Sequence, residues 1–229
     1  MECKIRHGVG RRMNQQIRSK RMIFGIVVIV AFVSIRMGQN RGYIDFAGSL
    51  NRTAVTVDGH ILKLSDIAFY IAYEEQQVEK DALVYNPKDT GEYWKIHSNG
   101  MFIRIAAKNA ALDMAVHDEI FYQMALADGT KLNQEEQLCL TNDQYDFWSD
   151  LNEEQRRALG VSQETLNQSM EKIALAQKYQ SLYADMHQTA YEQYLFNGDA
   201  YQKLLEEHKV KTNDKIWDRV HFGSITVDH

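Results

Sequence analysis

The sequence MFIRIAAKNAALDMAVHDEIFYQMALA, residues 101–127, decides the fold of this chain of 229 residues. Apolar side chains recur in it at spacings of seven and four residues, which places them on one face of an α-helix. These side chains are Ile105, Leu112, Val116, Ile120 and Met124. Alanines between them allow a neighbouring helix to approach closely. Because Asp128-Gly129 is typical of a helix C-terminus, the stretch predicts one long helix that ends there.

Further helices are predicted on both sides of this stretch. A helix is expected from Ser65 to about residue 86, where the single proline of the chain follows. The pair Asn133 and Glu136 forms a capping-box pattern that predicts the next helix start. Ser162 is the predicted N-cap of a long helix that reaches about His187. The apolar stripe of that helix consists of Leu166, Met170, Ile173, Tyr179, Leu182 and Met186.

Strand patterns lie at both ends of the helical region. Val55 and Val57 alternate ahead of Asp58-Gly59, which predicts a short strand and a tight turn. Residues 217–227, WDRVHFGSITV, are rich in β-forming side chains. No other strand is predicted between the two, and an unpaired apolar edge promotes aggregation. We therefore predict that the two terminal strands pair with each other.

The N-terminal part of the chain has the charge pattern of a membrane-targeting segment. Residues 1–44 carry a net charge of +8, whereas the remaining 185 residues carry −13. Residues 22–35, MIFGIVVIVAFVSI, are uncharged and directly follow Arg18, Lys20 and Arg21. This order is typical of a secretory signal or a signal anchor. We favour an uncleaved anchor, since no A-x-A site follows closely. A cleaved signal and a buried core helix are the alternatives.

These patterns divide the chain into four parts. They are a basic cytoplasmic arm (1–21), a signal anchor or transmembrane helix (22–37), a linker (38–52) and a helical domain (53–229). The predicted fold class is mainly α, with an N-terminal transmembrane helix and a multi-helix domain closed by a small two-stranded sheet. The expected location is the bacterial cell membrane, crossed once, with the acidic domain outside the cytoplasm.

The sequence contains no local motif for catalysis or metal binding. Its eight histidines lack the HExxH and Cys/His spacings of metal sites, and G-x-S-x-G does not occur. Residues 117–119, His-Asp-Glu, point to three sides of a helix, which predicts a solvated polar face. An acidic domain is also unsuited to nucleic acid. We therefore expect no enzyme activity, no cofactor, no metal and no nucleic-acid partner.

Methionine, tyrosine and phenylalanine are abundant, at nine, twelve and nine residues. Flexible thioethers and aromatic rings suit surfaces that bind many apolar sequences, although a stripe of them on one helix is more commonly core. The candidate peptide-binding side chains are Phe69, Tyr70, Tyr73, Phe102, Phe121, Met124, Tyr183 and Met186.

Four motifs, in order, resemble those of SurA N-terminal and PrsA-type chaperones, the trigger-factor/SurA class of peptide-binding domains. VDGHILKLSDI, residues 57–67, is similar to the opening of that family, with Asp58 in place of the usual asparagine. Residues 110–136 are similar to its second helix and turn. GVSQETL, residues 160–166, is similar to the start of its next long helix. Residues 219–225 lie where family members pass into a parvulin prolyl-isomerase domain.

The resemblance implies a helical chaperone module that binds unfolded or exported polypeptides and often swaps or shares its terminal strand. A parvulin domain would need many more residues, so isomerase activity is not implied. We expect a membrane-tethered chaperone-like protein that contacts the membrane through its N-terminal helix. The alternatives are a dedicated non-enzymatic subunit of a membrane or export complex, and the remnant of a peptidyl-prolyl isomerase. A homodimer or a membrane-complex partner is left open.

Overall fold

In the computed structural model, which describes residues 42–227, the predicted central helix runs from Ile103 to Asp128. It ends at Gly129, whose φ of 78° lies in the left-handed region that glycine adopts without strain. This helix packs most extensively against a second long helix, Gln163–Met186. Its small buried side chains leave room for close approach: Ala107, Ala111, Ala115 and Ala125. The mainly helical prediction is confirmed.

The described part of the chain contains eight helices and five short strands. The helices are α1 (Leu64–Tyr85), α2 (Gly91–Trp94), α3 (Ile103–Asp128), α4 (Gln134–Asp150), α5 (Glu153–Leu159), α6 (Gln163–Met186), α7 (Asp199–Leu205) and α8 (Asp214–Trp217). The strands are β1 (Thr53–Val57), β2 (His60–Lys63), β3 (His97–Ser98), β4 (Met101–Phe102) and β5 (Val210–Thr212). Two 3-10 turns occupy Ala47–Ser49 and Tyr191–Tyr194.

Side-chain caps fix the helix starts in the middle of the chain. The Asn133 side chain accepts the backbone N–H of Glu136, and the Glu136 carboxylate accepts that of Asn133. The Ser162 hydroxyl accepts the backbone N–H of Thr165 at the start of α6. Each bond satisfies a backbone donor that the first helical turn leaves unpaired. Both predicted caps are confirmed.

The main sheet has three antiparallel strands in the order β2-β1-β5 rather than the two predicted. Asp58 and Gly59 both have positive φ, 48° and 92°, and fold β2 back onto β1 in a two-residue hairpin. The Asp58 carboxylate also accepts bonds from His208 Nδ1 and from the backbone N–H of Lys209. These bonds hold residues 208–209 beside β1, so that β5 follows directly and Val210 pairs with Val57.

The prediction of a terminal strand over residues 217–227 is wrong. Trp217 ends helix α8, and the following residues form turns and bends. The N–H groups of residues 223–226 all point to the Glu75 carboxylate, so they are not available to a strand ladder. Gly223 adds a left-handed φ of 82°. The segment is nevertheless buried, through Val220, Phe222, Ile225 and Val227.

Residues 42–52, the larger part of the predicted linker, pack against the domain. The backbone N–H of Ile44 donates to the Arg219 carbonyl over 2.9 Å, and Phe46 belongs to the hydrophobic core. The Tyr43 ring stacks on His221 with centroids 3.9 Å apart. Residues 42–52 are therefore held by residues 217–227, which we call the terminal segment, and form part of the folded domain.

The predicted arm (1–21) and the predicted membrane helix (22–37) lie outside the described residues. Within residues 42–227, no helix is both long enough and apolar enough to span a membrane.

Candidate functional site

The candidate peptide-binding side chains differ widely in accessibility. Phe69, Tyr70 and Phe121 are buried in the hydrophobic core and present no surface to a peptide. Tyr73, Met124 and Tyr183 are half-buried. Phe102 and Met186 are exposed, at 49% and 61% of their surface.

The structure places these side chains in three separate locations. Phe69 and Tyr73 stack on α1, and Phe69 also contacts Phe147 of α4, with ring centroids 4.7 Å apart. Burial, followed by the charge of Glu74, raises the pKa of Tyr73 to about 12. Phe102 lies on the β3–β4 hairpin with its ring against His97. The third location is α6, where Tyr183 is half-buried and Met186 is exposed.

The last two turns of α6 carry Tyr179, Leu182, Tyr183 and Met186, which we call the α6 strip. Their spacing of three, four and seven residues places them on one face of the helix, in the pattern that normally faces a core. Here the face is open: Leu182 is 42% exposed, Met186 is 61% exposed and both tyrosines are half-buried. The predicted stripe is therefore core only in its first half, at Leu166, Met170 and Ile173.

The α6 strip is supported from beneath by a cluster of rings. Tyr183 contacts Phe121 and Tyr194 edge to face, with centroids 5.9 and 5.1 Å apart. Its other side contacts His187 at 4.2 Å and Tyr179 at 6.2 Å. Phe121, a candidate from sequence, thus positions Tyr183 rather than contacting a ligand. Ring contacts hold Tyr179 and Tyr183 in place, whereas Leu182 and Met186 extend into solvent.

The prediction of a solvated polar face at residues 117–119 is wrong, because all three side chains are buried. His117 Nδ1 lies 2.7 Å from Asp118 Oδ1, and the Tyr70 hydroxyl donates to Asp118 Oδ2 over 3.0 Å. His117 Nε2 lies 2.8 Å from the carbonyl oxygen of Tyr194. A carbonyl oxygen can only accept, so Nε2 carries a proton.

A small pocket adjoins this polar cluster, with a volume of about 20 Å³. Its polar lining consists of Asp66, Tyr70, Asp118, Glu119, Ser169 and Lys172. The volume is enough for about one water molecule. Ser169 is the one serine or threonine in the lining. Its hydroxyl donates to the Thr165 carbonyl and is not bonded to His117. The bonds of this cluster join α1, α3 and the 3-10 turn Tyr191–Tyr194.

Glu75 makes the most elaborate polar contact described in the domain. It is fully buried in α1, and its carboxylate accepts four backbone N–H groups, from Gly223 to Thr226, and the hydroxyl of Thr226. We call Glu75 and residues 223–226 the terminal clasp. Burial raises the pKa of Glu75 above its usual value, and the donated bonds only partly oppose that rise. Five donors converging on two oxygens fit the ionised carboxylate.

Lys108 of α3 holds the same terminal segment at a second point. Its Nζ donates to the carbonyl of Val220 over 3.0 Å and lies 5.5 Å from the centre of the Trp217 ring. Burial lowers the pKa of Lys108 to about 8. The sequence does not mark Lys108 or Glu75 as contact residues, because their partners lie more than a hundred residues away and most are backbone groups.

The described residues, 42–227, contain no group of three or more His, Cys, Asp or Glu side chains arranged to hold a metal ion. Comparison of the chain with models of protein families, with curated proteins and with solved structures finds no match.

Proposed function

We propose that this protein is a non-enzymatic, chaperone-like module that binds unfolded or exported polypeptides while tethered to the outer face of a bacterial cell membrane. The observation that carries the proposal is the α6 strip. An apolar stripe of helical period is normally buried, and contiguous exposed apolar surface marks a place where another molecule binds.

The side chains of the strip suit many different apolar sequences. Leu182 and Met186 are flexible and have no fixed partner geometry to satisfy, and methionine in particular adapts to irregular surfaces. Tyr179 and Tyr183 add rings with a polar tip, which contact both apolar groups and water. Binding by such a surface is shallow, tolerant of sequence and weak for each contact. These properties fit a holdase better than a receptor for one defined ligand.

Two features of the sequence support the membrane and chaperone parts of the proposal. The apolar segment 22–35 directly follows a run of basic residues, as in a signal anchor. The motifs at residues 57–67, 110–136 and 160–166 resemble those of SurA N-terminal and PrsA-type chaperones. Of the eight candidates from sequence, Tyr183 and Met186 are the proposed contact residues, joined by Tyr179 and Leu182.

The proposal is tested by measuring polypeptide binding to the full chain in lipid nanodiscs. Fluorescence anisotropy with a panel of labelled, permanently unfolded polypeptides gives the affinity of each. In the double variant Leu182→Ser/Met186→Ser, each substitution removes about 1 kcal/mol, because each side chain is only partly free to be buried by a ligand. The expected loss is about 30-fold in affinity.

A matched control is available at the end of α1. Leu83 and Val84 are 50% and 85% exposed, so Leu83→Ser/Val84→Ser removes a similar apolar surface elsewhere. We expect this control to bind like the parent. Equal loss in both variants, or none in the α6 variant, would contradict the proposal. Binding to one folded partner, and to no unfolded polypeptide, would instead favour a dedicated subunit of a membrane complex.

A further inference from the structure

The connection between the predicted membrane helix and the folded domain is shorter than the predicted linker. Arg219 Nε donates to the Gly42 carbonyl over 2.9 Å, and the backbone N–H of Ile44 donates to the Arg219 carbonyl over 2.9 Å. The chain is therefore fixed to the domain from Gly42 onward. Residues 38–41, which we call the tether, separate this attachment point from the predicted membrane helix, residues 22–37.

Chain geometry limits how far Gly42 can lie from the bilayer. An extended chain advances at most about 3.6 Å per residue, so the stretch from residue 37 to Gly42 spans at most about 18 Å. The headgroup layer of one leaflet takes up about 5–8 Å of that distance. A folded domain of this size has a radius of gyration of about 16 Å, close to the whole reach of the tether. The domain therefore cannot turn Gly42 away from the membrane without entering the hydrocarbon core.

The side chains around Gly42 identify the surface that the tether turns towards the lipid. The Tyr43 ring, which is 56% exposed, stacks on His221. Arg104 Nη1, at the start of α3, lies 3.4 Å from His221 Nε2. Phe102 is 49% exposed, and covalent geometry keeps its Cα within about 7 Å of that of Arg104. We call this surface the linker face; it consists of Tyr43, Phe102, Arg104, Arg219 and His221.

The charges on and around the linker face cancel. Two accessible cations, Arg104 and Arg219, are matched by two exposed acids, Asp45 and Asp218. The charges that border the face also form pairs of opposite sign: the buried Lys108 and Glu75, the exposed Lys95 and Glu92, and Lys215 and Asp214 of α8. Residues 45–229 as a whole carry −13. A bilayer that contains anionic lipid repels acidic protein surface, and the linker face is free of that repulsion.

We propose that the tether holds the linker face against the headgroup layer of the membrane that contains the anchor. This inference rests on the membrane anchor of the proposed function and adds the surface through which the domain meets lipid. Tyr43 and Phe102 suit this position, because aromatic rings favour the boundary between hydrocarbon and water. The bonds seen within residues 42–227 use one N–H group each of Arg104 and Arg219, so other N–H groups can donate to lipid phosphate.

The α6 strip lies away from this contact, towards the other end of α3. Arg104 contacts His221 of the linker face, and Phe121 of the same helix contacts Tyr183 of the strip. At about 1.5 Å per residue, Arg104 and Phe121 are about 25 Å apart along the helix axis. Lipid contact at the linker face therefore leaves the α6 strip accessible to polypeptides.

The test places a fluorescent amino acid at position 102 or 126 of the full chain, in nanodiscs whose lipid headgroups carry a nitroxide quencher. Leu126 is the matched control, because it is 50% exposed and lies on α3, about 35 Å from Phe102 along the axis. We expect the quencher to remove most of the fluorescence at position 102 and little at position 126. Equal quenching at the two positions would overturn the inference.

A longer tether tests the cause of this orientation. Inserting about twenty Gly and Ser residues between positions 41 and 42 adds a mean reach of about 25 Å, which frees the domain to turn. Quenching at position 102 should then fall towards that at position 126. If it stays as strong as in the parent, tether length does not set the orientation and the inference is overturned.

The outcomes separate this inference from the proposed function. Equal quenching at positions 102 and 126, with polypeptide binding retained, overturns the orientation and leaves the proposed function standing. If the full chain does not stay with the nanodiscs during size-exclusion chromatography, the anchor is absent, and both the membrane part of the proposed function and this inference are overturned.

Discussion

Replacing Glu75 by glutamine is expected to destabilise the domain by about 2–4 kcal/mol, because the terminal clasp needs two acceptor oxygens. A glutamine side chain has one oxygen and one NH₂ group. In its better orientation the oxygen accepts the N–H groups of residues 223–225, and the NH₂ group then faces the N–H of Thr226. One buried donor loses its partner, at about 1–3 kcal/mol, and the remaining bonds lose the assistance of a full charge.

The assay is denaturant and thermal unfolding of residues 42–229, followed by tryptophan fluorescence. Trp94 reports on the clasp directly: its ring lies 6.4 Å from that of Phe222, and a Cβ at Gly223 would lie only 2.6 Å from a Trp94 ring carbon. For a domain of this size, the expected loss corresponds to a fall in Tm of about 5–15 °C. An unchanged Tm would refute the reasoning that the clasp holds the terminal segment.

Glu74, next to Glu75, provides a control: its replacement by glutamine should raise the unfolding free energy, whereas replacement of Glu75 should lower it. Glu74 is half-buried, no hydrogen bond to it is seen within residues 42–227, and burial raises its pKa to about 7. The unfolded chain has the lower pKa, near 4.5, so the folded state binds the proton more tightly. The contribution of Glu74 to stability is then most favourable below about pH 4.5 and declines as the pH rises towards 7.

Glu74→Gln should therefore stabilise the domain by about 2–3 kcal/mol at pH 8 and have little effect at pH 4.5. The measurement is the difference in unfolding free energy between variant and parent at the two pH values. Destabilisation by Glu74→Gln at pH 8 would show that this carboxylate has a stabilising partner.

Three further predictions concern the ends of the chain and its chemistry. Deleting residues 218–229 removes the buried Val220, Phe222 and Ile225, at about 1.5–3 kcal/mol each, and should make the protein aggregate or melt far lower; an unchanged melting curve would contradict this. A reporter fused after residue 229 should be active only outside the cytoplasm, and activity of a reporter that works only in the cytoplasm would contradict the membrane topology. The purified protein should not accelerate isomerisation of a proline peptide, and a clear rate enhancement would favour an isomerase or its remnant.

The helices could be predicted from sequence because their signals are local. The apolar positions of α3 repeat with the helical period, and Asn133 and Ser162 sit one residue before the helices that they cap. The turn at Asp58-Gly59 was equally predictable, since both residues have the backbone conformations that it requires, but the returning strand β2 was not predicted. In each case a few neighbouring residues contain the whole physical cause.

The conformation of the terminal segment was predicted wrongly because the residue that determines it, Glu75, is distant in the sequence. Val220, Phe222, Ile225 and Val227 have the composition of a strand, but Glu75 binds the N–H groups that a strand would use. Glu75 itself is one glutamate in an acidic part of α1, and nothing in the sequence marks it as buried. A contact between a side chain and backbone groups about 150 residues away leaves no local pattern.

The candidate site was predicted only in part for a related reason. Helical period identifies the α6 stripe but does not distinguish a face that is covered from one that is open. Leu166 and Met170 are covered, whereas Leu182 and Met186 have the same spacing and are exposed. Burial of Phe69, Tyr70 and Phe121 likewise depends on neighbours from other helices.

The most direct test of polypeptide binding is crosslinking in living cells from a photoreactive amino acid placed at position 186 of the full chain. The same amino acid at position 84 serves as the control, because Val84 is the more exposed side chain and lies outside the α6 strip. We expect position 186 to capture many unrelated exported polypeptides and position 84 to capture few. Equal capture at both positions, or capture of one folded partner alone, would contradict the central claim.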